Sequence, residues 1–267
     1  MWGWLRRLER SARAHRGIPD ALWQTTLGNY PFLAACSPAE LQRLRELSAL
    51  FLAEKEFHGA QGLAITDAMA VAIAAQACLP VLHFGPGRQP LDWYDDFVGI
   101  VVHPDEVLAQ REVMDEDGVV HHYDEVLAGE AMQGGPVMLS WQDVAAASSE
   151  SGYNVVIHEF VHKLDLRDGQ PDGCPPLGAG FLGAASARQA REHWLATLQA
   201  SFEDFHEQVI KAERFGAPPP WLDPYGAEAI DEFFAVTSEA YFVNRPQFAR
   251  DFTALVPLFD AFYRPGA

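Results

Sequence analysis

Cysteine is scarce in this chain. Only Cys36, Cys78 and Cys174 occur, an odd number at wide spacing. That excludes a disulfide framework and points to free thiols in a reducing compartment, so a cytoplasmic protein is expected. Basic residues are also few, 19 lysines and arginines against 37 acids, for a net charge of −18. Such a surface repels phosphate backbones and argues against direct nucleic-acid binding. Long apolar runs are missing. The longest, AMAVAIAAQACLPVLHF (68–84), is interrupted by Gln76 and Pro80 and falls short of a membrane span. No apolar run follows the basic start, so it does not read as a secretory signal. The glycines of HFGPGRQP (83–90) are too few for a phosphate loop. There is no internal repeat and no low-complexity tract.

What is present is an ordinary globular composition, 49% hydrophobic and 21% charged over 267 residues. One compact unit with a substantial core is expected. Residues 1–95 read as a mainly helical part packed on that core. In SPAELQRLRELSALFLAEKEF (37–57), Ser37 suits an N-cap and Pro38 the first helical position. Leu41, Leu44, Leu47, Phe51 and Leu52 follow at helical spacing. A second, more apolar helix is predicted in 65–81, capped by Thr66 or Asp67. The opening segment carries Arg6, Arg7, Arg10, Arg13 and Arg16 against one acid, Glu9, interleaved with Trp2, Trp4, Leu5 and Leu8. It reads either as a docked terminal helix or as a surface for a membrane or partner.

Residues 96–267 change character. DFVGIVVHP (96–104) is a short strand pattern, and REVMDEDGVVHHYDEVL (111–127) reads as two strands around a solvated DEDG turn. His121 and His122 are adjacent on a strand, face opposite ways and do not share a metal. GGPVMLSW (134–141) reads either as an edge strand on which a peptide could be laid by backbone pairing or as an interior strand of the small sheet. Helices then dominate: 152–165, one helix or a pair over 185–215, a rigid linker (216–226), one helix through AEAIDEFFAVTSEAYFVNRP (227–246), and a final short pair. Strands followed by helices, without βαβ alternation, argue for an α+β or mostly α architecture, and α+β is the fold class expected.

The chemistry sits in VVIHEFVHKLD (155–165). On a helix capped by Ser149 or Ser151, His158 and His162 lie four apart and aim both imidazoles at one point. That is the geometry of a zinc site. Glu159, turned about 100° from His158, reaches a water on the metal without ligating it. Such a site needs a third protein ligand. The continuation HExxHxxGxxH is absent, and His193 and His206 fall on a solvated amphipathic helix. The better source is AIDEFFAVTSEAYF (229–242), where Glu232, Ala235, Val236 and Glu239 share one face of an apolar helix. Glu232 is the favoured ligand and Asp231 its competitor. Tyr225, in LDPYG seven residues before Glu232, reads either as an ordinary turn tyrosine or, if Glu232 binds the metal, as a donor of a hydrogen bond to an oxyanion. Asp165 and Glu239, on the metal faces of their helices, are candidates to hold a ligand imidazole in its tautomer.

GYNVVIHEFVHKLD, LDPYG and DEFFAVTSEAYF together resemble the Mlc titration factor A family of glucose-regulated zinc metallopeptidases. That family is gluzincin-like and distantly similar to the anthrax lethal factor catalytic domain. The resemblance implies a zincin-like core of a small mixed sheet, an HExxH helix and a glutamate-bearing helix, with extra helices before it. It implies one zinc ion held by His158, His162 and Glu232, Glu159 as catalytic base and Tyr225 as transition-state stabiliser. It further implies aminopeptidase-like hydrolysis of a peptide or protein substrate, and binding of a glucose-responsive transcriptional repressor. The alternative is a non-catalytic repressor-binding protein with a structural or latent zinc site. A deformylase-like metallohydrolase fits less well. That class takes a cysteine ligand from upstream of the helix, and Cys36 and Cys78 are distant while Cys174 is downstream.

Overall fold

A computed structural model describes residues 17–114, 120–147 and 151–265. The basic opening segment, the DEDG turn and Ser149 lie outside the described residues. The architecture is mixed α+β, with helices α1 (Asp20–Asn29), α2 (Pro31–Ala34), α3 (Pro38–Glu54) and α4 (Asp67–Cys78) leading into strands. The α3 helix starts on a full capping box. The Ser37 hydroxyl accepts from Glu40 N, and Glu40 Oε2 accepts from Ser37 N at 2.8 Å. Leu44, Leu47 and Phe51 are buried, as their spacing requires. For α4 the cap is Thr66, whose hydroxyl accepts from Met69 N.

The chain departs from the expected helix after Glu54. Lys55 turns extended, and Glu56–Gly59 form strand β1. The cause is tertiary. Buried Lys55 donates to the carbonyls of Tyr94 and Phe97 at 2.5 and 2.7 Å and lies 3.9 Å from the Phe97 ring centroid. These bonds hold the backbone beside strand β2 (Gly99–His103), which β1 joins in parallel register. Two antiparallel strands, β3 (Val107–Met114) and β4 (Val120–Leu127), form a separate ribbon. Strands β5 (Gly129–Ala131) and β6 (Val137–Ser140) complete the main sheet in the order β1-β2-β6-β5.

This order decides between the two readings of GGPVMLSW. GGPVMLSW supplies β6, which is an interior strand, parallel to β2 on one side and antiparallel to β5 on the other. Val137 and Leu139 are buried, so the strand is consumed by the core. The edges are β1 and the three-residue β5, and β5 is the one beside β6.

A short helix, α5 (Trp141–Ala146), leads to α6 (Val155–Asp165), which crosses the sheet and packs on β5, β6 and α4. The predicted 185–215 segment is one helix, α7 (Ala187–Phe215), ended by Gly216 in a left-handed conformation at φ 69°. His193 and His206 are exposed on it. Helix α8 (Ile230–Val243) packs along α6, and α9 (Arg245–Asp251) and α10 (Leu255–Tyr263) close the fold. One hydrophobic core runs from Ile18 to Tyr263, and β1 joins the sheet across residue 95. No described helix is long and apolar enough to cross a membrane. All three cysteines are free.

Candidate metal centre

Helix α6 is fixed at its first turn by Asn154. Its side-chain oxygen accepts from Ile157 N at 2.9 Å, and its amide nitrogen donates to Gln76 Oε1 at 2.7 Å. Asn154, and not Ser151, is therefore the cap. An asparagine does here what a serine was expected to do, and it also ties α6 to α4. Val156, Ile157, Phe160, Val161 and Leu164 are completely buried, which sets the rotation of the helix. His158 and His162 are thereby turned toward α8.

The structure brings His158, His162 and Glu232 together as a group able to hold a metal ion. Their donor atoms form a near-equilateral triangle. His158 Nε2 is 3.0 Å from Glu232 Oε2, His162 Nε2 is 3.2 Å from that oxygen, and the two Nε2 atoms are 3.1 Å apart. A tetrahedral ion with bonds near 2.0–2.1 Å separates its ligand atoms by about 3.3 Å. The triangle fits that demand.

The protonation pattern fits as well. His158 Nδ1 lies 2.8 Å from Glu239 Oε1. A proton on Nδ1 leaves the Nε2 lone pair facing the carboxylate and the second imidazole. Three electron-rich atoms at contact call for a cation or a proton at their centre. Burial pulls the His158 pKa down, but the bonds to Glu232 and Glu239 outweigh it and hold it well above its ordinary value. The carboxyl of Glu232 is pushed up by burial, yet both histidines prevail and drive it far below the usual carboxylate range. A bound cation substitutes for those protons.

Glu159 stands beside the triangle, 4% exposed, with Oε2 buried and without a hydrogen-bond partner among the described residues. Burial raises its carboxyl to about 7, against the opposing pull of His158 and His162. The Tyr225 ring centroid is 6.0 Å from that of His158. A 3-10 turn, Pro224–Ala227, carries this tyrosine, and the Asp223 side chain accepts from Tyr225 N at 3.0 Å.

Glu239 holds His158 by one oxygen and Asn154 N by the other. Asp165 is used differently from what the sequence suggested. It accepts from Gly173 N at 2.9 Å, and no described bond joins it to a ligand imidazole. Gly173 sits at φ 73°. An added Cβ there would lie 2.9 Å from Ile230 O, so only glycine lets this loop cross between α7 and α8. Asp231 lines the site, outside the donor triangle.

Two cavities meet at the centre and share Gly129, His158, Glu159 and Tyr225. The deeper one, about 260 Å³, adds Tyr153, Val155, Asp223, Val236 and Glu239. The other, about 290 Å³, adds Glu130, Gln133, His162, Asp231 and Glu232. Neither is lined by a lysine or an arginine. A larger, open cavity of about 930 Å³ lies between α1 and α3, and among the described residues that line it there is no histidine, cysteine or aspartate.

Strand β5 borders both cavities. Ser140 N donates to Ala128 O at 2.7 Å. Antiparallel alternation then turns the N–H and C=O groups of Gly129 and Ala131 outward, to the unpaired side of the sheet. Sequence reasoning missed this strand. Three residues are too few for a period-2 pattern, and glycine followed by glutamate reads as a loop.

A buried helix bearing two histidines and a glutamate, faced by a carboxylate from a second helix, defines the metallopeptidase class of site. The comparisons narrow it. Residues 3–264 match the model of the glucose-regulated metallo-peptidase M90 family, and the chain belongs to that family. It is 32% identical over 264 residues to the Mlc titration factor A of Klebsiella pneumoniae (strain 342), covering 98% of this chain and 91% of that protein. The Mlc titration factor A of Cronobacter sakazakii is 32% identical over 242 residues, covering 90% and 84%. That of Yersinia pestis (strain Pestoides F) is 31% identical over 246 residues, covering 91% and 84%.

Proposed function

We propose that this protein is a zinc-dependent peptidase with a zincin-like, gluzincin-type core and aminopeptidase-like action. The observation that carries this reading is the donor triangle of His158, His162 and Glu232 beside the buried, partner-poor carboxylate of Glu159. His158, His162 and Glu232 would hold one zinc ion per chain. Zinc supplies Lewis acidity, polarising a carbonyl and lowering the pKa of water to about 7. Glu159 takes the proton of the attacking water and passes it to the leaving amine. Tyr225 donates to the oxyanion that develops on the carbonyl. Glu239 keeps His158 in the tautomer that presents Nε2.

A substrate strand pairs with the outward groups of Gly129 and Ala131 and sends a side chain into the deeper cavity. Its lining favours neutral or basic residues over acidic ones, because Asp223 and Glu239 are the charged groups that join Glu159 and the histidine among the described residues lining it. The test is cleavage of a mixed peptide library, read by mass spectrometry, by zinc-loaded protein and by its Glu159→Gln variant. Cleavage by the first alone supports the reading and reports the end preference. Equal cleavage by both overturns it.

A second reading rests on the relatives, which are named for titrating Mlc. Here the protein binds a glucose-responsive transcriptional repressor in the cytoplasm, alongside hydrolysis or with a latent zinc site in place of it. Silence of both proteins on peptides, with zinc bound, together with capture of a purified repressor of that type, favours this reading.

A further inference from the structure

The geometry assigns Gly129 as the residue that positions Glu159, by leaving room for its carboxylate against the edge strand. The assignment rests on Glu159 being the base, and the experiment below separates the two. A Cβ built on Gly129 would lie 2.4 Å from Glu159 Oε1 and 2.7 Å from both Cδ and Cγ. No side chain fits there while Glu159 keeps its place. The backbone is not the reason for the glycine. Gly129 is absent from the positive-φ glycines, so its conformation accepts alanine. Ala131, two residues along on the same face of β5, carries a methyl group. The exclusion is therefore local to the point where β5 touches Glu159.

What yields in a Gly129→Ala variant follows from what holds each partner. The far side of β5 is hydrogen-bonded to β6. The turn after it is clamped by Lys163, fully buried on α6, which donates to the carbonyls of Met132 and Gly135. The strand is thus held to β6 along its length and to the helix through the turn that follows it. The Glu159 carboxylate is the loose member, since its Oε2 has no described partner. An added methyl group displaces the carboxylate and leaves the fold standing. The missing side chain also lets a peptide paired to β5 run within reach of Glu159, so one residue sets the distances from strand to base and from base to substrate.

The experiment compares wild type, Gly129→Ala and the control Gly99→Ala, all zinc-loaded. In the same sheet, a Cβ on Gly99 meets only Pro136 Cβ, at an ordinary 3.5 Å. Three quantities are read: zinc stoichiometry, kcat and KM on a peptide found in the library, and the position of the Glu159 carboxylate in crystal structures. The expected result for Gly129→Ala is one zinc per chain, KM within about threefold and kcat lower by about 10²–10⁴, the range for losing a general base. The crystal shows the carboxylate moved, and Gly99→Ala matches wild type. Introducing Glu159→Asp into Gly129→Ala costs far less activity than in wild type, because the two changes strike one contact. Wild-type cleavage with Gly129→Ala active to within threefold overturns the assignment and leaves the peptidase reading intact. If wild type cleaves nothing, the peptidase reading fails, and the crystal decides on Gly129 alone. A carboxylate unmoved beside the new methyl group then overturns it.

Discussion

Helix α8 has two faces with opposite physics. Toward α6 it presents Glu232 and Glu239 to two histidines. Away from α6 it presents Phe233, Phe234 and Tyr241 to an aromatic cluster on α7, α9 and α10. Trp194 stacks on Phe259 at 5.8 Å and 11°, and meets Phe234 edge-on at 5.5 Å. The aromatic face supplies burial without charge and stabilises the fold. The acidic face holds groups whose burial is costly until a cation satisfies them. Stability and chemistry are therefore separated by half a turn of one helix, and each change below tests whether they stay separate.

The largest expected effect is on the aromatic face. Phe259 is completely buried and touches Trp194, Phe234, Tyr241, Phe248 and Tyr263. Phe259→Ala is expected to destabilise the fold by about 3–5 kcal/mol, as large-to-small core changes do. Denaturant unfolding measures the loss, and chelator competition measures zinc affinity in the folded fraction. An affinity equal to wild type keeps the two faces separate. A matching fall in affinity shows that the aromatic packing also sets the donor triangle.

Next is the pH dependence of hydrolysis. Glu159 works as a base only when ionised. Burial lifts its carboxyl from 4.5 to about 7 in the metal-free protein, so the protonated form prevails below that. Activity is lost as pH falls through this pKa, about tenfold per unit. A bound cation favours the carboxylate and lowers the pKa, so the acid limb of the zinc-loaded protein lies below about 7. An acid limb that keeps its position in the residual activity of Glu159→Gln belongs to another group and removes Glu159 from the base role.

A smaller effect is expected at Glu239, on the acidic face but one step from the metal. Glu239→Gln keeps the shape and loses the charge that holds the Nδ1 proton of His158. Zinc affinity is expected to fall by about 10–100-fold, the usual cost of an outer partner. Isothermal titration of zinc measures it, and an unchanged Kd assigns Glu239 to the Asn154 cap alone.

The sequence and the structure agree best where one helix face decides the matter. Helical spacing put His158 and His162 together, and the apolar run around Glu232 made its carboxylate conspicuous. What stayed hidden depends on pairing across the chain. The edge position of β5 follows from sheet order, which no local pattern encodes. The β1 strand forms because Lys55 reaches the carbonyls of Tyr94 and Phe97, far along the chain. Asn154 won the cap because it also meets Gln76 and Glu239. Asp165 lay on the expected face, but a loop glycine reached it first. Gly129 was silent because its reason is the absence of an atom beside a residue on another element.

The smallest effect sharpens the comparison most. The aromatic face has a polar link too: the Tyr263 hydroxyl lies 2.7 Å from Ser238 Oγ, both fully buried. Ser238 also donates to Phe234 O at 2.7 Å, so removing the tyrosine hydroxyl leaves its partner satisfied. Tyr263→Phe is therefore expected to cost only about 0.5–1.5 kcal/mol, the net value of one hydrogen bond, with zinc affinity and kcat unchanged. Removing Glu239 instead strands two donors at once, His158 Nδ1–H and Asn154 N–H, next to the donor triangle. Thermal unfolding of Tyr263→Phe and Glu239→Ala, each with and without zinc, compares the two. If zinc stabilises Tyr263→Phe as much as wild type but rescues Glu239→Ala less, polar burial on the acidic face serves the metal and polar burial on the aromatic face serves the fold. Equal rescue of both breaks that division, and α8 would then be one cooperative unit in which zinc binding and core packing cannot be assigned to separate faces.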